Sequence, residues 1–98
     1  MIAIDKITEN NGPLWIIPNS NKQGTLSEDQ IQKMVDINQK LVITMNEGDV
    51  AFWSPYLIHG SEPNLSTQSR NTLINGFCLT DANKRIYSGC GTGIRIKI

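Results

Sequence analysis

Apolar residues along the chain occur in short runs separated by clusters of Gly, Pro, Asn and Asp, a pattern typical of short β-strands joined by turns. The strongest turn signals are residues 9–13 (ENNGP), residues 46–49 (NEGD) and residues 60–64 (GSEPN). We therefore predict five to seven strands and an antiparallel sandwich or barrel. The runs that carry the strands are residues 1–8, 14–17, 41–45, 50–53, 56–59, 70–79 and the alternating edge strand 94–98.

One segment, residues 27–39, has a helical pattern instead. Ser27 is followed three positions later by Gln30, the spacing of a capping box, in which each residue satisfies a backbone N–H of the other. Apolar residues then recur at helical spacing at Ile31, Met34 and Val35. The chain is thus predicted to be mainly β with at most one short helix.

Composition and charge narrow the class of protein. The 98 residues include 39% hydrophobic residues, which is enough for one small domain over residues 1–98. Nine basic and nine acidic residues give a formal net charge of zero, which argues against a nucleic-acid or anionic-membrane partner. Neither a leader-like start nor an apolar run of about 20 residues is visible, so we expect a soluble cytoplasmic protein. Two cysteines are too few for a disulfide scaffold.

The candidate chemistry lies around the single histidine, His59. It follows an apolar run and precedes Gly60, at a junction of strand and turn where functional sites are often placed. Ser61 shares the face of His59 in an extended chain. Arg70 begins the next predicted strand, and its guanidinium has the geometry to bind a carboxylate through two hydrogen bonds. The competing interpretation is a structural histidine and a solvated surface arginine.

Other reactive or aromatic residues are interpreted as structural. Asp49 lies in a Gly-Asp turn, and Asp5 lies in a predicted strand without a histidine two positions before it. The aromatic side chains and one thiol are expected in the core, namely Trp15, Phe52, Trp53 and Cys78.

Four stretches carry a family resemblance in order along the chain: residues 11–22 (NGPLWIIPNSNK), residues 48–53 (GDVAFW), residues 59–64 (HGSEPN) and Arg70. Together they resemble the second half of a phytanoyl-CoA dioxygenase-type domain, within the iron(II)/2-oxoglutarate oxygenase superfamily. The resemblance covers roughly residues 2–79. Asn19 and Asn21 stand where that family usually has Gly and His.

The resemblance implies a double-stranded β-helix, a jelly-roll or cupin-like fold. His59 would be the distal iron(II) ligand of a facial triad of two histidines and one carboxylate. Arg70 would pair with the far carboxylate of 2-oxoglutarate, and Ser61 would assist it. The reaction would be hydroxylation of a C–H bond in a small-molecule or acyl substrate, coupled to decarboxylation of 2-oxoglutarate.

The chain departs from the family at the metal. The family's other two ligands, in an H-x-D motif, lie upstream of the stretch that resembles residue 1, and His59 is the only histidine here. Three interpretations therefore remain: the C-terminal part of a dioxygenase, a metal-free carboxylate-binding or cupin-like module, or a structural remnant that is inactive or is an interaction partner completed by another chain. An incomplete jelly roll also exposes sheet edges, so we expect self-association.

Overall fold

The computed structural model describes residues 1–76, which form two small antiparallel sheets and one α-helix. The helix, α1, spans Glu28–Ile37. The strands are β1 (Ile2–Ala3), β2 (Leu14–Ile16), β3 (Leu41–Ile43), β4 (His59–Ser61) and β5 (Thr72–Leu73). This is the mainly β, incomplete arrangement that the sequence predicts, with a single α-helix among the described residues. The rolled closure of a jelly roll stays a prediction.

The larger sheet has the order β3–β2–β4, with β2 antiparallel to both neighbours. Trp15 lies opposite Val42 on one side and Gly60 on the other, and Ile16 lies opposite Leu41 and His59. The smaller sheet pairs β1 with β5. Since β1 and β5 are about 70 residues apart in the sequence, this pairing brings the start of the chain to the segment that follows Arg70.

The core contains residues from both sheets. Its buried side chains are Met1, Ala3, Ile7, Leu14 and Met45, against which Ile16, Ile43, Ala51 and Trp53 pack. The core is small for the apolar content of the chain, because many large apolar side chains lie on the surface of the described region. The exposed ones are Ile4, Ile31, Ile37, Leu41, Val42, Val50, Phe52, Tyr56, Leu65, Leu73 and Ile74.

Helix α1 begins as its sequence predicts. The Gln30 backbone N–H donates to the Ser27 hydroxyl at 3.3 Å, and the Ser27 backbone N–H donates to Gln30 Oε1 at 2.9 Å. This reciprocal pair satisfies two donors at the helix start. At the other end the Asn38 side chain donates to the Met34 carbonyl at 2.8 Å. None of the helix residues is fully buried, so α1 lies on the surface.

The polar run after Pro18 is more ordered than the predicted surface loop. Asn19 has φ 64° and ψ 1°, a left-handed conformation that glycine adopts freely and asparagine tolerates better than other residues. A single turn of 3-10 helix follows at Ser20–Gln23. Ser20 is buried, and its hydroxyl accepts the Ile58 backbone N–H at 2.8 Å. This contact ties the turn to the segment before β4.

Two predicted strands are wrong in position. In residues 50–53 only Val50 forms a β-bridge, with Ile2, although Met1 and Ala51 exchange backbone hydrogen bonds. Phe52 in this run was expected in the core but is 79% exposed, because it points away from the side where Ala51 packs. Residues 56–58 are not in a strand, because the chain turns at residues 55–56, where the Leu57 N–H donates to the Ser54 carbonyl at 3.0 Å.

Within the predicted strand over residues 70–79, the structure shows β5, from Thr72 to Leu73. Residues 77–79 lie outside the described residues. The predicted edge strand 94–98 and both cysteines, Cys78 and Cys90, also lie outside them. Within residues 1–76, no helix has the length and apolar character needed to cross a bilayer.

Candidate functional site

Strand β4 puts His59 and Ser61 on the same face of the larger sheet. His59 lies opposite Ile16 and Ser61 lies opposite Leu14. Residues that are directly opposite in an antiparallel pair share a face, and Leu14 is part of the core. The two polar side chains are therefore on the core side of the sheet, at its edge, where both remain exposed.

Gly60, between them, is required by its neighbour on β2. A Cβ at Gly60 would overlap the indole ring of Trp15, which covers the glycine on the opposite face of the sheet. The Lys40 ammonium lies 4.3 Å from the centre of the same ring and 3.4 Å from Glu62 Oε1. Trp15 thus holds β4 against β2 from the face that does not carry His59.

The His59 ring is oriented by its own backbone. Nδ1 lies 2.8 Å from the Leu57 carbonyl oxygen. A carbonyl only accepts hydrogen bonds, so Nδ1 carries a proton, and in the neutral imidazole this leaves the lone pair on Nε2. A histidine that binds a metal through Nε2 usually donates a hydrogen bond from Nδ1 in this way. The Trp53 ring, 5.3 Å away between centroids and tilted by 59°, packs beside the imidazole.

Arg70 precedes β5 and is half-buried. A Cβ at Gly12 would stand 3.5 Å from Arg70 Nε and 2.9 Å from the Glu62 carbonyl oxygen, and Gly12 has φ +84°. The positive φ and the close Glu62 carbonyl therefore require glycine at this position, and the Arg70 side chain passes beside it. Within residues 1–76, no carboxylate forms an ion pair with the Arg70 guanidinium. A half-buried cation without a protein counter-ion is suited to bind an anionic ligand.

The paired segments of β2 and β4, here called the ribbon, connect His59, Ser61 and Arg70. The pairing of β2 with β4 continues beyond the strands, because Glu62 N–H donates to the Pro13 carbonyl at 3.1 Å and Asn11 bridges Asn64. Gly12, beside Arg70, lies in this extension. The ribbon that carries His59 and Ser61 thus also contacts Arg70. The described residues do not enclose the three side chains in a hollow, since His59 and Ser61 are exposed.

The donor set does not by itself fit a catalytic iron. No group of three His, Cys, Asp or Glu side chains in residues 1–76 is arranged to hold a metal ion. A facial triad needs three protein ligands, and His59 offers one imidazole nitrogen. The described residues accordingly fit one ligand and a carboxylate anchor rather than a complete metal centre.

Asp49 and Asp5 both have structural contacts. Asp49 Oδ2 accepts the Asn46 backbone N–H at 2.7 Å, which closes the predicted turn. Asp5 lies at a bend rather than in a strand, and its carboxylate contacts the residues on both sides of Arg70. Sequence reasoning missed this contact, because Asp5 is 64 residues from Ser69 and no local motif links the two.

Comparison with known proteins adds to this geometry. The profile of a family described as Phytanoyl-CoA dioxygenase (PhyH) matches residues 1–72, a stretch that includes His59, Ser61 and Arg70. A methylphosphonate hydroxylase from Gimesia maris is 34% identical in an alignment of 76 residues that covers 74% of this chain and 29% of that protein. The chain thus spans less than a third of the length of this relative. The family match over most of the chain shows that it belongs to the phytanoyl-CoA dioxygenase family.

Proposed function

We propose that this chain is the C-terminal part of an iron(II)/2-oxoglutarate-dependent dioxygenase that hydroxylates a C–H bond of a small-molecule or acyl substrate. In this proposal His59 supplies the distal metal ligand, and Arg70 with Ser61 anchors the far carboxylate of 2-oxoglutarate. The observation that carries the proposal is the half-buried Arg70 guanidinium, which has no carboxylate partner among residues 1–76 and lies along the ribbon of His59 and Ser61.

The properties of the three side chains support this assignment. The hydrogen bond from Nδ1 to the Leu57 carbonyl favours the His59 tautomer in which Nε2 is available to ligate a metal. The Arg70 guanidinium can donate two parallel hydrogen bonds to a carboxylate, and the Ser61 hydroxyl, on the same face as His59, can donate a third. Bound iron would supply the oxidation chemistry, while these residues hold and orient the co-substrate.

The remaining metal ligands must come from elsewhere in the family domain. Because the chain spans 29% of the methylphosphonate hydroxylase, most of such a domain lies outside it. The reading frame around Met1 is a direct test. An upstream, in-frame stretch that encodes an H-x-D motif would support a dioxygenase, whereas a protein that starts at Met1 would favour the metal-free module described below.

Binding of 2-oxoglutarate to the purified chain tests the anchor directly. We expect a dissociation constant in the roughly millimolar range without metal, because one guanidinium supplies most of the affinity. Arg70→Ala should weaken binding about 10- to 100-fold, since a hydrogen bond to a charged group contributes about 1.5–3 kcal/mol. Arg70→Lys should lie between the two, because lysine keeps the charge and loses the fork.

The matched control is Lys33→Ala, which removes one positive charge from the exposed surface of α1. It should leave the affinity for 2-oxoglutarate unchanged. NMR titration is suited to such weak binding and also reports which resonances move. Equal affinities of the wild type and Arg70→Ala would contradict the assignment of Arg70.

A metal-free carboxylate-binding module is the second candidate function. It is favoured by one observation: residues 1–76 contain no group of three potential metal ligands. In this case 2-oxoglutarate binds through Arg70 and Ser61, but iron(II) neither binds nor tightens 2-oxoglutarate binding, even when any upstream segment of the natural protein is included. An iron-dependent gain in affinity in that longer protein would exclude the module.

A further inference from the structure

The Asp5 carboxylate holds the chain on both sides of Arg70. Asp5 Oδ2 accepts the Asn71 backbone N–H at 2.7 Å, the Asn71 side-chain amide at 2.8 Å and the Ser69 hydroxyl at 2.9 Å. In the other direction, the backbone N–H groups of Ile4 and Asp5 donate to the Asn71 carbonyl at 3.0 and 3.2 Å. One carboxylate oxygen therefore joins the N-terminal segment to both neighbours of Arg70.

This set of contacts favours an ionised acceptor. All three groups around Oδ2 are donors, and a carboxylate accepts without presenting a competing donor. The backbone hydrogen bond from Asn71, followed by the bond from Ser69, lowers the pKa of Asp5 below its ordinary value. At neutral pH the carboxylate is accordingly charged, and each contact is a charge-assisted hydrogen bond.

The contacts of Asp5 fix the position of the backbone at Arg70. Ser69 and Asn71 are held on the Asp5 side, whereas Arg70 Nε lies near Gly12. Anchoring both neighbours fixes the backbone at Arg70 and therefore the direction of its Cα–Cβ bond, from which the guanidinium extends. A bidentate bond to a carboxylate depends on such orientation, because a displacement of about 1 Å removes one of its two hydrogen bonds.

We propose that Asp5 is a positioning residue that fixes Arg70 for carboxylate binding. The inference rests on the proposed function, in which Arg70 anchors the far carboxylate of 2-oxoglutarate. Asp5 itself does not touch the ligand. It acts through the backbone of residues 69–71, from which the Arg70 side chain extends past Gly12.

A double-mutant cycle on the full chain tests the proposal. Asp5→Asn should weaken 2-oxoglutarate binding about 5- to 10-fold in the wild-type background and have no further effect when Arg70 is alanine. Ser69→Ala removes one of the three contacts to Oδ2 and should weaken binding about 2- to 3-fold. Lys33→Ala again serves as the control. An equal loss from Asp5→Asn in both backgrounds would overturn the positioning role.

A second measurement does not depend on the ligand. The Arg70 Nε–H resonance should report an ordered side chain in the wild type and a mobile one in Asp5→Asn and, less strongly, in Ser69→Ala. An unchanged heteronuclear NOE at Nε would overturn the proposal. If Arg70→Ala fails to weaken 2-oxoglutarate binding while the Nε signal still responds to Asp5, the proposed function fails and Asp5 still positions Arg70.

Discussion

Gly60→Ala tests the contact that holds β4 in the sheet. Gly60 lies between His59 and Ser61, and a Cβ there would overlap two atoms of the Trp15 indole and press against a third. The φ of Gly60 is not in the positive range, so alanine adopts the backbone conformation without strain. The cost of the substitution therefore comes from the indole, which must move away from β4.

Two contributions give the expected magnitude. Forcing a methyl group into a filled contact costs about 1–3 kcal/mol. Displacing the ring from Lys40, whose Nζ lies 4.3 Å from its centre, removes a cation–π interaction of about 0.5–1 kcal/mol. Gly60→Ala should accordingly lower the free energy of unfolding by about 1.5–4 kcal/mol.

Urea unfolding followed by circular dichroism measures this loss without relying on tryptophan fluorescence, which the shifted indole would alter. Gly76→Ala is the control, because no atom lies within 4 Å of a Cβ at that position. The effect of Gly60→Ala should largely disappear in a Trp15→Ala background, where the methyl group fills vacated space. A similar loss with and without the indole would refute the steric explanation.

Four further predictions follow from the same contacts. Ile17→Ala, at a position that is 1% exposed, should lower the free energy of unfolding by about 2–5 kcal/mol in urea, whereas the exposed Leu65→Ala should have little effect. Ser27→Ala removes the capping box and should reduce stability by about 1 kcal/mol, with a loss of helical signal in circular dichroism. The lowered pKa of Asp5 means that its contribution is complete above the unfolded pKa of about 4 and is lost as the pH falls through the folded value, so Asp5→Asn should flatten the stability profile in that range; an identical profile would contradict this. Finally, we propose that the chain self-associates through the exposed edges of its sheets and apolar side chains such as Leu41; sedimentation should show a concentration-dependent mass, and a monomer at all concentrations would refute the proposal.

The local features of the fold were predictable because they depend on neighbours in the sequence. The capping box of α1 needs residues three positions apart, and the turn closed by Asp49 needs four consecutive residues. Strand β4 shows the limit of this reasoning. The apolar run before His59 favours a strand, but Ser20, which is 38 residues from Ile58, takes the Ile58 backbone N–H with its hydroxyl. A run of apolar residues does not reveal where its hydrogen-bond partners lie.

The sequence by itself determined the family resemblance and the choice of His59, Ser61 and Arg70, because residue type and spacing carry the chemistry of ligands and anchors. Only the tertiary structure decided how these residues are held. Three contacts join segments that are distant along the chain: Asp5 with both neighbours of Arg70, Gly12 with Arg70, and Trp15 with Gly60. Such contacts form only when the backbone folds, since chain topology rather than local propensity brings these groups within hydrogen-bonding and packing distance.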